Sequence, residues 1–225
     1  MAVRLVVQTL AFCAFMGVLL FGGAGTLNWP QAWAFLALFG VLGLGVGFWL
    51  LARDPGLLAE RLGSPVARDQ MAWDRALMAL VFLLFFAWLV FMGLDAVRYG
   101  WTSTPRWAQW LGAGLIVLSN LGGAWTFHAN SFAAPTVKTQ SARGHAVATG
   151  GPYALVRHPM YTSALLMMLG VPLLLGSLWG LVAFPVLLAV VWLRARGEEK
   201  MLLTELPAYA EYAARVRARF FPGLF

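Results

Sequence analysis

The sequence predicts an all-α fold: a polytopic membrane protein with five to six transmembrane helices, the last two open to being a helical hairpin, and a C-terminal interfacial helix. Three observations carry this. The 225 residues are 61% hydrophobic and only 11% charged, against about 25% charged in an ordinary soluble domain. Four runs, 5–25, 29–52, 76–94 and 107–127, contain no charge at all, and each is near the ~20 residues needed to cross a hydrocarbon core. The runs are unbroken rather than alternating, so helices rather than a β-barrel satisfy the backbone.

The first span covers about 3–21 and ends in Gly22, Gly23 and Gly25. One Arg precedes it, as in a signal peptide, but further spans follow and it is read as a retained helix. Cys13 lies inside it, so neither a disulfide framework nor a cysteine metal site is expected. A short turn with Trp29 and Pro30 leads to the second span, 31–51, where Trp29 and Trp33 suit the aromatic belt. Gly43 and Gly47 have the spacing that allows close helix approach. The loop 52–74 is polar and carries Arg53, Arg61 and Arg68, with Arg75 at its end; Asp54-Pro55-Gly56 signals a turn, and Leu57, Leu58, Glu60, Arg61 and Leu62 outline a short amphipathic surface helix. The third span is about 76–97 and the fourth 107–127, with Asn120 needing a polar partner. The polar segment 128–157 follows, then two shorter apolar runs, 159–175 and 178–193, joined by Gly176-Ser177. In the tail, Tyr209, Tyr212, Val216 and Phe220 fall at helical spacing. The chain is treated as one domain, 1–127 forming a four-helix part and 128–225 a C-terminal part, to which the polar clusters below assign cofactor binding.

The net charge is +7. Nucleic acid is not the expected partner, because the cations are scattered between spans. With the N-terminus inside, fourteen of the sixteen Lys and Arg fall on one side, and Arg98 and Arg106 alone on the other. This bias puts 128–157 and both polar clusters described next on the cytoplasmic face.

Those clusters are Gly150–Tyr161 and Arg194–Lys200. In the first, the residue before a proline is pushed out of the helical region and proline suits a first helical position, so a helix should start at Pro159 with His158 flanking it. Its free N–H groups and the Arg157 fork suit a carboxylate; the alternative is a plain headgroup boundary. In the second, Glu198 and Glu199 sit beyond an apolar run, where acidic groups need a partner or a polar cavity. They suit an ammonium or ribose hydroxyls, or form a helix-end salt bridge to Arg194 or Arg196. A metal site on His128, His145 and His158 lacks any tight spacing, and no metal is expected.

Taken in order, His145, Thr149-Gly-Gly-Pro-Tyr153, Val156-Arg-His-Pro-Met-Tyr161, Gly170, Arg194, Glu198-Glu199, Leu202, Tyr209-x-x-Tyr212, Arg217-x-Arg219 and Pro222-Gly223 resemble the isoprenylcysteine carboxyl methyltransferase family, and more loosely the membrane phospholipid methyltransferases, over about 120–225. Ser163 departs from the pattern, which has Gly there. The resemblance implies S-adenosylmethionine as cofactor, with contacts from Tyr153, Arg157, His158, Pro159, Tyr161, Glu198 and Glu199. With that cofactor, the expected acceptor is lipophilic and enters from the bilayer, with membrane lipids as surroundings; the catalytic candidates are Arg194, to steer an anionic acceptor, and His158 or Glu199, to take a proton from an amine. Two other functions stay open on the residues: a non-enzymatic scaffold that holds anionic lipid through its basic tail, and an NADPH-dependent lipid or sterol reductase.

Overall fold

The computed structural model describes residues 1–63, 71–133 and 146–223. Among them nine α-helices and no strand occur: α1 Ala2–Ala24, α2 Pro30–Arg53, α3 Pro55–Arg61, α4 Ala72–Gly93, α5 Arg106–Ala129, α6 Pro159–Leu175, α7 Trp179–Val182, α8 Phe184–Glu205 and α9 Ala208–Arg215. A π-helical turn, Leu94–Arg98, extends α4, and a 3₁₀ turn, Gly151–Ala154, precedes α6. Five helical stretches are long and apolar enough to cross a membrane, and α6 is shorter. The chain is a multi-pass membrane protein, as its charge-free runs predict.

Prolines start the helices. Pro30, Pro55 and Pro159 each occupy the first turn, where a missing N–H costs nothing. Asp54 caps α3 by accepting from the Leu57 N–H at 2.8 Å. Helix α8 runs past Leu193, the end of the last apolar run, to Glu205, and so carries Arg194, Glu198 and Glu199 on its final turns.

Small residues set the packing, since apolar contact alone gains little in lipid. A Cβ on Gly112 would lie 2.5 Å from Leu174 N and 2.6 Å from Gly170 O, and one on Gly170 would lie 2.7 Å from Gly112 O. The backbones of α5 and α6 therefore touch. Ser119 adds a hydrogen bond across this seam, its Oγ donating to Ser163 O at 2.6 Å. On α1 and α4, a Cβ on Gly93 would meet Leu20 O at 2.5 Å. Gly47 accommodates the Leu5 side chain; Gly43, its partner in the expected motif, lies against Thr9 less closely. Asn120 finds its polar partner in its own helix, donating to Ile116 O at 2.9 Å.

The two ends of the bundle differ. At one end Arg4 donates to Leu62 O, Arg61 donates to Ala133 O at 3.0 Å and stacks 4.2 Å over Phe127, and Leu57 and Leu58 are buried with Leu5, Leu50 and Phe127. Burial lowers Arg61 from its usual range to about 10, so it stays charged at neutral pH. At the other end the buried Asp95 accepts from Thr102 Oγ1 at 2.7 Å and Ser177 Oγ at 2.6 Å, which ties 98–105 to 176–178. Arg98 and Arg106 belong to this second end; the other described cations gather at the first.

Candidate functional site

Arg157 and His158 are fixed before their side chains are considered. Their backbone N–H groups donate to Ala218 O and Arg219 O, both at 2.9 Å, so the segment leading into α6 lies along the extended tail. Pro159 then opens α6 with His158 as its flanking residue, as the X-Pro rule predicts. The tail corrects an expectation. The helical spacing of Tyr209, Tyr212, Val216 and Phe220 suggests one helix, yet α9 ends at Arg215. The reason is competition for carbonyls: those of Val216 and Arg217 accept from Arg157 Nη1, each at 2.9 Å, and those of Ala218 and Arg219 are taken as above. Tyr209 and Tyr212 are 4% and 2% exposed, so α9 turns them into the protein rather than toward lipid. Tyr212 Oη donates to Tyr153 O at 2.8 Å.

Helix α8 delivers the carboxylates to this frame. Glu199 Oε1 accepts from Arg157 Nε at 2.7 Å and lies 3.1 Å from His158 Nε2; Glu199 Oε2 lies 3.2 Å from Arg219 Nε. Glu198 Oε2 accepts from Tyr161 Oη at 2.7 Å and lies 3.8 Å from His158 Nδ1. His158 thus faces both carboxylates, while its ring stacks on Tyr161 with centroids 5.3 Å apart and tilts against Phe220 at 6.2 Å. The two polar clusters, about forty residues apart in sequence, form one ionic site. Neither Glu uses Arg194 or Arg196 as its ion-pair partner in the contacts formed here. Arg194 instead binds the buried Asp74 of α4, Nε to Oδ1 at 2.8 Å, and lies 5.7 Å over the Tyr161 ring. A Cβ on Gly197 would strike the Trp73 ring at 2.5 Å, so α4 presses on α8 beside Arg194.

Tyr153 is held by Asn130 Nδ2, which donates to its hydroxyl at 2.8 Å. Burial pushes the Tyr153 and Tyr209 hydroxyls above the ordinary phenol range and Tyr212 to about 12. The Tyr209 hydroxyl is buried and, among the described residues, has no hydrogen-bond partner; it lies within the field of Glu199, Arg157 and Glu198. Ser163 turns its hydroxyl toward α5, donating to Pro159 O at 3.1 Å. Gly122 makes the room: a Cβ there would lie 2.7 Å from Ser163 Oγ. The small residue that the motif leads one to expect on α6 is thus found on α5. His128 tilts against Trp49 at 6.2 Å, and His145 lies outside the described residues. Among those residues no three His, Cys, Asp or Glu form a group able to hold a metal ion.

Residues sequence reasoning missed are Asp74, Arg219, Phe220 and Tyr209 as members of the site. Tyr209 and Arg219 carry a signal only as parts of the quoted motif, without an assigned contact, and Asp74 only as a charge at a span's edge.

Residues 107–207 match the family described as phospholipid methyltransferase. This stretch is similar to phospholipid methyltransferases. That family is of the isoprenylcysteine carboxyl methyltransferase type, so the resemblance drawn from the motifs holds. The match contains Tyr153 to Tyr161 and Glu198-Glu199, and stops short of α9 and the extended tail. A curated relative, the cobalt-zinc-cadmium resistance protein CzcN of Cupriavidus metallidurans, is 31% identical over 121 residues, 53% of this chain and 55% of the relative. The chain spans about half the length of the curated relative it matches.

Proposed function

We propose that the protein is an integral-membrane methyltransferase that uses S-adenosylmethionine and acts on a lipophilic or small acceptor at the cytoplasmic end of its bundle. The observation that carries this is the junction of Arg157, His158 and Tyr161 with Glu198 and Glu199, two motifs of a methyltransferase region meeting in one ionic site. The segregation of Lys and Arg to that end supports a cytoplasmic orientation.

The donor set fits the cofactor. The Glu198 side chain is 30% exposed; it accepts from Tyr161 and keeps acceptor positions for an ammonium or ribose hydroxyl. The stacked rings of His158 and Tyr161, with Phe220, offer faces to a sulfonium or a base. The orphaned Tyr209 hydroxyl is a buried polar group that a ligand would satisfy. Arg157 and Glu199 take a different part from the one their composition suggests. They neutralise each other, so they hold the tail and the frame, while Arg219, whose side chain is 28% exposed against 9% for Arg157, is better placed for a ligand carboxylate. Pro159 and Tyr153 then act through the backbone entering α6.

When bound, the cofactor supplies an electrophilic methyl group, whose bond to sulfur breaks as the bond to the acceptor forms. The chain's own work is positioning and exclusion of water. A carboxylate or thiolate acceptor needs no strong base, whereas an amine must lose a proton, for which His158 or Glu199 is the candidate acceptor. Arg194 serves by bracing Tyr161. The tail, tied inward through Arg219 and the carbonyls of 216–219, does not behave as a plain lipid anchor. Calorimetry of detergent-purified protein with S-adenosylhomocysteine should show saturable binding that Glu198→Ala weakens at least tenfold. Absence of heat at millimolar ligand, with the protein folded, would defeat the proposal.

A further inference from the structure

The end of the bundle away from the ionic site holds a cavity of about 500 Å³ between the start of α2, the start of α5 and the end of α6. That volume is in the range of small-molecule sites. Its lining is graded. Gln31, Arg106 and Gln109 stand at the helix starts, whereas Leu38, Ala113 and Leu174 lie further in. At about 1.5 Å per residue, Leu38 is ~12 Å along α2 from Pro30, and Ala113 ~10 Å along α5 from Arg106. No carboxylate lines the cavity, and among the described residues Arg106 makes no ion pair.

The depth of the cavity in the bilayer is marked by exposed aromatic residues at this end. Trp33, Tyr99, Trp101, Trp107 and Trp110 are all exposed, the pattern of an interfacial belt. The polar mouth therefore lies at headgroup level and the apolar interior at acyl-chain level. This end is poor in cations, with Arg98 and Arg106 as its Lys and Arg residues, so a cation at the mouth of a cavity is a specific feature rather than part of a basic surface.

We infer that this cavity is a binding site for a single anionic glycerophospholipid of the facing leaflet, its phosphate on the Arg106 guanidinium and one acyl chain along Leu38, Ala113 and Leu174. A guanidinium fork matches a phosphate with paired charge-assisted hydrogen bonds. Gln31 offers its amide to the glycerol and ester oxygens, and Gln109, whose Nε2 donates to Thr104 O at 3.1 Å, its second N–H. Its mouth at Arg106 is separated from the ionic end of the bundle by the 24-residue α5, about 36 Å at 1.5 Å per residue, so it is separate from the proposed cofactor and acceptor region and does not rest on the methyltransferase reading.

The test uses the full chain in nanodiscs of phosphatidylcholine doped with phosphatidylglycerol, followed by detergent extraction and quantification of retained lipid by mass spectrometry. Wild type should retain phosphatidylglycerol over phosphatidylcholine. Arg106→Gln should lower that retention at least fivefold, Arg106→Lys less, and Arg98→Gln, whose residue does not line the cavity, should leave it unchanged. Ala113→Leu, which narrows the interior, should lower retention of both lipids with the thermal midpoint held. Equal loss in Arg98→Gln and Arg106→Gln would show diffuse charge attraction and overturn the site. So would unchanged retention in Arg106→Gln. Stabilisation of the protein by inorganic phosphate alone, to the same midpoint as by phosphatidylglycerol, would overturn the lipid as ligand.

Discussion

Replacing Glu199 with alanine leaves Arg157 without its carboxylate in a setting where the two side chains are 9% and 12% exposed. Three cationic or potentially cationic groups, Arg157, His158 and Arg219, converge on this one carboxylate at 2.7 to 3.2 Å. Removing one member of a buried pair costs about 3–5 kcal/mol, because the remaining charge is desolvated and unpaired. For a chain of this size each kcal/mol moves the thermal midpoint by about 2–4 °C, so a drop of ~6–20 °C is expected. Glu199→Gln keeps the shape and one acceptor oxygen but loses charge assistance, and should fall between Ala and wild type. The assay is thermal unfolding in detergent, with Arg157→Ala and the double variant completing a cycle. Because the partners are in direct contact, the double variant should cost less than the sum of the singles by about 1 kcal/mol or more. A midpoint shift under ~2 °C for Glu199→Ala, or strict additivity in the cycle, would refute the idea that this carboxylate ties α8 to the tail.

Other consequences follow from the packing and the phenols. Gly112→Ala should destabilise by about 1–3 kcal/mol, because its Cβ would meet backbone atoms of α6 at 2.5 and 2.6 Å, while Gly114→Ala, with nothing within 4 Å, should be neutral or gain up to ~1 kcal/mol of helix propensity; equal midpoints for the two would sink the seam argument. Burial raises Tyr153, Tyr209 and Tyr212 above their ordinary range, so the unfolded chain loses these protons first. Stability is full below about pH 10 and falls as pH rises toward 12, by about 1.4 kcal/mol per pH unit for each phenol; a thermal midpoint that stays flat from pH 9 to 11.5 would contradict this, and Tyr212→Phe should make the decline shallower. Tyr161→Phe removes the donor to Glu198 at 2.7 Å and should weaken S-adenosylhomocysteine binding by about tenfold in calorimetry, with a midpoint close to wild type; unchanged affinity would place the ligand elsewhere.

How far the sequence discloses this arrangement depends on the range of the interactions. The start of α6 is visible because Pro159 and the residue before it obey a local steric rule. The spans are visible because their lengths are set by the bilayer. The meeting of Gly150–Tyr161 with Glu198-Glu199 is foreseeable on a simpler ground: two costly polar clusters at the same end of apolar helices need each other. The course of the tail is hidden, since Tyr209, Tyr212, Val216 and Phe220 keep helical spacing although Arg157 takes the carbonyls that a helix would use. The pairing of Asp74 with Arg194, 120 residues apart, is hidden for a related reason: an acidic residue at the edge of a span looks the same whether it meets water or a guanidinium. The α5–α6 seam is hidden too, because the glycines that let backbones touch, Gly112 and Gly170, resemble Gly114, which touches nothing.

The boundaries of the family match bear on what each part of the chain contributes. Residues 107–207 hold α5, α6 and α8, hence His158, Tyr161, Glu198 and Glu199. They do not hold the groups that close the site from outside. Arg219 and Phe220 come from the extended tail, and Asp74 with Trp73 from α4. The charge of Arg194 is therefore not a lone positive field within the site: Asp74 lies 2.8 Å away and fully buried, and at that separation the pair acts on a distant anion mainly as a dipole. The field that Arg194 presents to an anion is thus weakened by a residue outside the matched region. Arg194 also lies 5.7 Å over the Tyr161 ring, whose hydroxyl donates to Glu198 at 2.7 Å. The more open guanidinium of the site is that of Arg219, 28% exposed against 14% for Arg194, and it comes from the tail rather than from α8.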